Sequence, residues 1–132
     1  MTRGNEISDP LTGQHLKFVQ RAADTGGEFL HVEVRLSPGG YVPRHAHLRQ
    51  DERVTVLSGE VAVKVGRREQ VLHRGESAEV GRRHLHRVWN AGPVDARFLL
   101  DVRPARRMEG AIRTVVRVTG WVNALTRRSR AR

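Results

Sequence analysis

The chain has 132 residues, 24 basic and 14 acidic side chains, a net charge of +10 and no cysteine. This length fits one domain with its own hydrophobic core, and the lack of cysteine excludes disulfides, thiolate metal sites and a cysteine nucleophile. Apolar runs stay well below the ~20 residues that a membrane-spanning helix requires, so we expect no membrane span.

The N-terminal residues 1–14 contain no apolar segment of the kind that forms the centre of a secretory signal. The absence of cysteine is also compatible with a reducing compartment. We therefore expect a cytoplasmic protein in which this segment is an arm that precedes the folded domain.

Short stretches of alternating apolar and polar side chains dominate the middle of the chain. Residues 28–36 end in a strict alternation, which predicts a strand with one buried face. The other predicted strands are separated by glycine-containing or polar turns and span residues 52–58, 60–65, 70–73, 76–80, 86–90 and 96–102. Many short strands at this spacing indicate an all-β barrel or sandwich.

Two imidazoles and one carboxylate follow one another closely after residue 39. His45 and His47 are two residues apart, so on a strand they would point to the same face. Glu52 opens the next predicted strand and can approach the same point, and His86 adds a third imidazole from farther along the chain. Such a mixed set of nitrogen and oxygen donors suits a divalent transition metal ion (Fe, Mn, Ni, Cu, Co or Zn), and the affinity order alone does not choose among them.

His84 stands two residues before His86, and alternation would place it on the same side. Three roles are open for it: a base beside the metal site, an alternative ligand, or a plain surface residue.

The spacing of these residues resembles two motifs of the cupin superfamily. Residues 39–59 read G-x5-H-x-H-x4-E-x6-G and fill every fixed position of the first motif: Gly39, His45, His47, Glu52 and Gly59. Residues 75–90 resemble the second motif, G-x5-P-x-G-x2-H-x3-N, at Gly75, His86 and Asn90. Gly81 stands where that motif has proline, and Arg83 where it has glycine.

This resemblance implies a double-stranded β-helix, or jelly-roll barrel, over residues 15–103, between the arm at 1–14 and a basic C-terminal helix and tail at 104–132. It implies the following metal ligands: His45, His47, Glu52 and His86. It also implies a homodimer, by analogy with small cupins that pair through sheet edges.

The C-terminal segment differs from the rest in pattern and in charge. Between residues 106 and 126 the apolar side chains recur at helical spacing, although residues 112–118 also fit strand alternation. Residues 103–132 carry nine arginines against one acid, whereas residues 1–102 carry 15 basic and 13 acidic side chains. Such a helix binds an anionic membrane or a nucleic acid, or it packs its apolar stripe on the barrel or on a second subunit. The scarcity of aromatic residues and the lack of a DNA-recognition motif favour packing.

The function predicted from these features is that of a metal-dependent enzyme on a small oxygen-rich substrate, dioxygenase-like if the metal is redox-active. One alternative is a Lewis-acid isomerase or cyclase in which Glu52 or His84 moves a proton. Another is a cupin that binds a small molecule without converting it. The predicted partner is a small molecule, and nucleic acid is not expected.

Overall fold

The computed structural model describes residues 5–114 of the chain. Its strands are β1 (Glu6–Asp9), β2 (Gln14–Gln20), β3 (Leu30–Leu36), β4 (Tyr41–His45), β5 (Asp51–Ser58), β6 (Val61–Val65), β7 (Arg68–Leu72), β8 (Ser77–Val80), β9 (His86–Asn90) and β10 (Ala96–Arg103). A 3-10 helix occupies Ala22–Thr25, and an α-helix begins at residue 108 and is described as far as residue 114.

The strands form two antiparallel sheets. The larger sheet has six strands in the order β1-β2-β3-β10-β5-β8, and the smaller has four in the order β4-β9-β6-β7. Strands that are distant in the chain are therefore neighbours, as in a jelly roll. This arrangement confirms the predicted all-β fold, and it brings the segments that contain the histidines together, because β4 and β9 are paired.

The hydrophobic core lies between the two sheets. In β3 every second side chain is buried, as the alternation of this segment predicts. Phe98 of β10 and Val54 of β5 meet Val61 and Val63 of β6 in the same core, and each is at most 1% exposed. The predicted strands between residues 28 and 102 are all found, with ends that shift by at most two residues.

Two strands near the N-terminus were not predicted. Residues 6–9, which the sequence analysis placed in an arm, pair as β1 with the first residues of β2. β2 in turn pairs with β3. The six-stranded sheet therefore begins within the first ten residues of the chain.

The C-terminal helix packs on the barrel where the structure describes it. Ala105 and Met108 are buried, and Ile112 is half-buried against the core. Glu109 forms an ion pair with Arg21 at 2.7 Å. These contacts agree with the packing alternative for residues 105–114, whereas the rest of the predicted helix, residues 115–126, and the end of the tail lie outside the described residues. Within residues 5–114 there is no helix with the length and apolarity that crossing a bilayer requires.

Candidate metal centre

His45, His47, Glu52 and His86, here called the His–Glu cluster, come from three strands and one loop. His45 is the last residue of β4 and His86 the first residue of β9, and the two are direct partners across the pair of strands. Glu52 is the second residue of β5. His47 lies in the loop between β4 and β5 and not on a strand, so its approach to His45 comes from the turn of the loop and not from the predicted alternation.

The four side chains converge on one point. Each offers one ligand atom, and these atoms all lie within 4.8 Å of one another. The Nε2 atoms of His45 and His47 are 3.0 Å apart, and Nε2 of His86 lies 3.4 Å from one carboxylate oxygen of Glu52. The other oxygen of Glu52 contacts Nε2 of His47.

Backbone carbonyls orient two of the imidazoles. Nδ1 of His45 donates to the carbonyl oxygen of Pro43 at 2.7 Å, and Nδ1 of His86 donates to that of His84 at 3.1 Å. In a neutral ring that is protonated at Nδ1, the Nε2 atom keeps its lone pair. Both Nε2 atoms therefore face the centre of the cluster as ligands, held by the kind of outer contact that metal-binding histidines have.

Charge within the His–Glu cluster also suits a cation. Burial raises the pKa of the Glu52 carboxyl, but hydrogen bonds from His47 and His86 outweigh burial and hold this pKa at about 2. Burial lowers the pKa of His45, which favours its neutral ring. For His86, burial lowers the pKa, but the contact with Glu52 more than compensates and raises it. Protons and a metal ion therefore compete for the same nitrogen atoms around a buried anion.

These observations test whether the residues fit a metal ion. Two Nε2 atoms 3.0 Å apart repel each other unless a proton or a cation lies between their lone pairs. The Glu52 carboxylate is 4% exposed, and an ionised carboxylate at that depth needs a positive partner. Three imidazoles and one carboxylate satisfy the ligand preferences of a divalent transition metal. The donor set fits such an ion and leaves its identity open.

A second set of contacts holds the loop before β9 against the loop that contains His47. The backbone N–H of Arg82 donates to Oδ1 of Asp51 at 2.9 Å, and its guanidinium donates to Oδ2 at 3.0 Å. The backbone N–H of Arg83 donates to the carbonyl oxygen of His47 at 2.5 Å. Sequence reasoning missed these contacts. Asp51, adjacent to Glu52, was the one signal that could have suggested them.

The two departures from the second motif both have structural consequences. Arg83 has a φ of 68° and therefore adopts a left-handed conformation, although it is not a glycine. At Gly81, an added Cβ would lie 3.2 Å from Nδ1 of His84. The absence of a side chain at position 81 therefore makes room for the His84 ring.

The structure does not bring the His84 side chain into the His–Glu cluster. The expectation that alternation places it beside His86 is wrong, because β9 begins at His86 and His84 lies in the preceding turn. Its side chain is exposed. The contact of His84 with the cluster is made by its carbonyl oxygen, which accepts the Nδ1–H of His86.

The His–Glu cluster lies in the wall of a cavity of 240 Å³. Most of the remaining wall is apolar. This apolar wall comes from both sheets, one loop and the C-terminal helix, and consists of Leu16, Val34, Val42, Pro43, Ala46, Val88, Phe98, Leu100, Ala111 and Ile112. Val34, Val88, Phe98 and Leu100 lie on predicted strands, but only the fold brings them into one cavity with the other apolar residues.

Comparisons with known proteins agree with this geometry. The family model described as "Cupin domain" matches residues 32–102. The chain is 35% identical over 80 residues to the tetracenomycin polyketide synthase protein TcmJ of Streptomyces glaucescens, a match that covers 61% of this chain and 52% of that protein. The chain thus spans about half the length of this curated relative.

Solved structures share the fold. TT1209 from Thermus thermophilus is 31% identical with a TM-score of 0.57, and the match covers 59% of this chain and 74% of that one. KdgF from Halomonas sp. is 20% identical with a TM-score of 0.65, over 74% of this chain and 85% of that one. At 20% identity the second likeness concerns the fold alone.

Proposed function

Because this chain belongs to the cupin family, we propose that its His–Glu cluster holds a divalent transition metal ion and that the protein is a metal-dependent enzyme on a small molecule. The observation that carries this proposal is the convergence of four ligand atoms within 4.8 Å in the wall of a largely apolar cavity. Four protein ligands leave about two positions free on an octahedral ion, enough for a bidentate substrate.

A bound metal supplies Lewis acidity, and a redox-active one also supplies electrons for oxygen chemistry. The residues of the chain orient the ligands, exclude water and accept protons. The carbonyl oxygens of Pro43 and His84 hold two imidazoles in orientation, and the apolar wall excludes water from the substrate. Either carboxylate oxygen of Glu52 can accept a substrate proton if the other one binds the ion.

A dioxygenase-like reaction is the first candidate. Two imidazoles with one carboxylate and open positions are the ligand set of many non-haem iron oxygenases, and the His–Glu cluster contains this set with one imidazole more. The substrate would carry an enol, diketone or hydroxy-acid group with which to chelate the ion.

A redox-neutral isomerisation or cyclisation is the second candidate. It is favoured by the 35% identity to TcmJ, which is named a polyketide synthase protein. In this reaction the proton transfer falls to Glu52, since the side chain of His84 lies outside the His–Glu cluster.

The decisive experiment combines metal analysis with oxygen consumption. Protein purified without added metal is analysed by elemental mass spectrometry, then reconstituted with Fe(II), Mn, Ni, Cu, Co or Zn and given a panel of flavonols and β-diketones. Oxygen uptake equal to substrate loss supports oxygenation, and conversion without uptake supports the redox-neutral reaction. Tight binding without any conversion would make this a binding protein and would contradict the enzyme proposal.

A matched variant controls for adventitious metal. His73 is an exposed histidine whose contacts are with Glu76. His73→Ala is expected to keep the metal content and the activity of the wild type. If metal is lost equally from His73→Ala and His86→Ala, the ion is not bound by the His–Glu cluster.

We also propose a homodimer formed through sheet edges. The six-stranded sheet ends at β1 and β8, and the four-stranded sheet ends at β4 and β7. Edge strands present unpaired backbone groups that a second copy can bind. Sedimentation equilibrium measures the assembly, and a monomer at all concentrations would contradict this proposal.

A further inference from the structure

Polar and apolar groups are unevenly distributed in the lining of the cavity beside the His–Glu cluster. Its ligand atoms lie within 4.8 Å of one another, whereas most of the remaining lining belongs to the apolar wall. Two further polar residues border it: Gln14, whose amide N–H donates to Thr12 at 2.9 Å, and Arg44, whose side chain is exposed. A substrate that bears oxygens all around would leave several of them unpaired against the apolar wall, which costs free energy.

The volume of the cavity indicates how large an apolar group it can hold. An apolar cavity of about 150 Å³ lined by leucine, isoleucine and phenylalanine is large enough for benzene. The cavity measures 240 Å³. It therefore accommodates one phenyl-sized ring together with a short group that reaches the His–Glu cluster.

The C-terminal helix forms part of this cavity. Ala111 and Ile112 border it, and the helix is fixed to the barrel by the buried Met108 and by the ion pair between Glu109 and Arg21. These helix residues lie outside the region 32–102 that the family model matches. They are features of this chain that the cupin motifs do not specify.

From these observations we propose that the ligand of the His–Glu cluster consists of a chelating oxygen group joined to an apolar, ring-sized body, and that Ala111 and Ile112 select for that body. This inference rests on the proposed metal-dependent function and narrows the expected oxygen-rich substrate to one whose oxygens lie at one end. Ala111 leaves room for the ring because its side chain is small, and Ile112 supplies apolar surface.

Two diketones test this selection. Acetylacetone and benzoylacetone share the same chelating group, and only benzoylacetone carries a phenyl ring. Isothermal titration calorimetry of the full chain is expected to give a Kd for benzoylacetone at least ~10-fold lower than that for acetylacetone, since the ring is removed from water. Oxalate, which chelates but has no apolar body, is expected to bind no more tightly than acetylacetone.

Variants of the C-terminal helix test whether Ala111 and Ile112 cause the preference for benzoylacetone. Ile112→Gln replaces the apolar side chain by a somewhat longer one that carries an amide, and Ala111→Phe occupies the space of the ring. Both are expected to reduce the preference for benzoylacetone to less than ~3-fold and to leave acetylacetone binding unchanged. Val71→Gln introduces the same polarity at an exposed position of β7 away from the cavity and should keep the full preference.

Ala111 is exposed at the rim of the cavity, so Ala111→Phe tests the idea even if Ile112→Gln destabilises the protein. Each titration is run on protein with metal and on protein treated with a chelator, and metal content is measured on the same samples. Loss of metal binding from all samples contradicts the proposed function. Equal affinity for the two diketones, no binding of either, or tighter binding of oxalate than of benzoylacetone overturns the proposed ligand class.

Discussion

His45 and His86 face each other directly across β4 and β9, with their ring centroids 4.2 Å apart. Each ring donates its Nδ1–H to the backbone carbonyl oxygen of the residue two positions earlier. Two neighbouring strands therefore orient two imidazoles by the same local contact. Ligands whose orientation is fixed by the backbone lose little conformational freedom when they bind an ion, so the site is preorganised.

Removal of single ligands should abolish tight metal binding. His86→Ala and Glu52→Gln are expected to weaken the affinity of the protein for its metal by at least ~100-fold, because loss of an outer partner alone costs about 10–100-fold. Competition with a chromophoric chelator measures this affinity.

His84→Ala provides the contrast within the same segment. Its carbonyl oxygen holds His86, but its side chain lies outside the His–Glu cluster. We therefore expect the affinity of this variant to stay within ~3-fold of the wild type, well below the cost of losing an outer partner. A loss as large as that of His86→Ala would show that the imidazole of His84 acts on the metal.

Asp51 and Arg82 are expected to position the His–Glu cluster. Asp51→Ala removes the acceptor for both the backbone N–H and the guanidinium of Arg82, whereas Arg82→Ala leaves the backbone contact in place. Asp51→Ala should therefore weaken metal binding by about 10-fold and Arg82→Ala by less. The measurement is metal affinity at equal folded fraction, which circular dichroism verifies.

The neighbouring pair of Arg53 and Glu79 is a matched control. It joins β5 to β8 at 2.6 Å on an exposed surface and does not hold the loop of His47. Arg53→Ala is expected to leave metal affinity unchanged, since exposed ion pairs contribute little. If Arg53→Ala and Asp51→Ala lower the metal affinity equally, the effect comes from the change in surface charge. It does not then come from the positioning of the His–Glu cluster.

Local sequence patterns predicted the strands well because alternation reports which face of a strand is buried. Residues 86–90 were predicted with the observed bounds of β9 for this reason. β2 was missed because its burial alternates but its residue types do not: Gln14 is a buried polar residue and Val19 an exposed apolar one. In β1 the buried residue is Asp9, which is also polar. Alternation of apolar and polar residues does not identify a strand that buries polar side chains.

The sequence predicted which residues form the site but not how the loops around them are arranged. The spacing of His45, His47 and Glu52, together with the resemblance to the cupin motifs, identified residues that the fold brings together. The loop that carries His47 and the turn that carries His84 were not predictable, because long-range contacts fix them. The contact between Asp51 and Arg82 joins residues 31 positions apart, and no local periodicity reports such a contact.

Arg83→Gly should stabilise the protein. A residue with a side chain at a φ of 68° is strained by about 1–2 kcal/mol, and glycine relieves this strain while costing about 0.5–1 kcal/mol of chain entropy. The free energy of unfolding is expected to rise by about 0.5–1 kcal/mol in urea titrations.

Arg68→Gly tests whether this gain depends on the backbone conformation. Arg68 is an exposed arginine on β7, and the positive-φ residues of the described chain do not include it. Its replacement should lower the free energy of unfolding by about 0.5–1 kcal/mol. A lower stability of Arg83→Gly as well would mean that the Arg83 side chain stabilises the loop.

Asp101 should make stability depend on pH in the acidic range. Burial raises the pKa of its carboxyl, but hydrogen bonds from Arg103 and His31 outweigh burial and lower this pKa below its ordinary value of 3.8. The ionised carboxylate therefore stabilises the fold above about pH 4, and this contribution is lost as the pH falls through the lowered pKa. Asp101→Asn should cost about 1 kcal/mol in urea unfolding near pH 6 and close to nothing near pH 2.

Asp95 provides a control because it is more exposed. Asp95→Asn should cost less than ~0.5 kcal/mol at either pH. An undiminished cost of Asp101→Asn in acid would show that the carboxylate does not act through its charge.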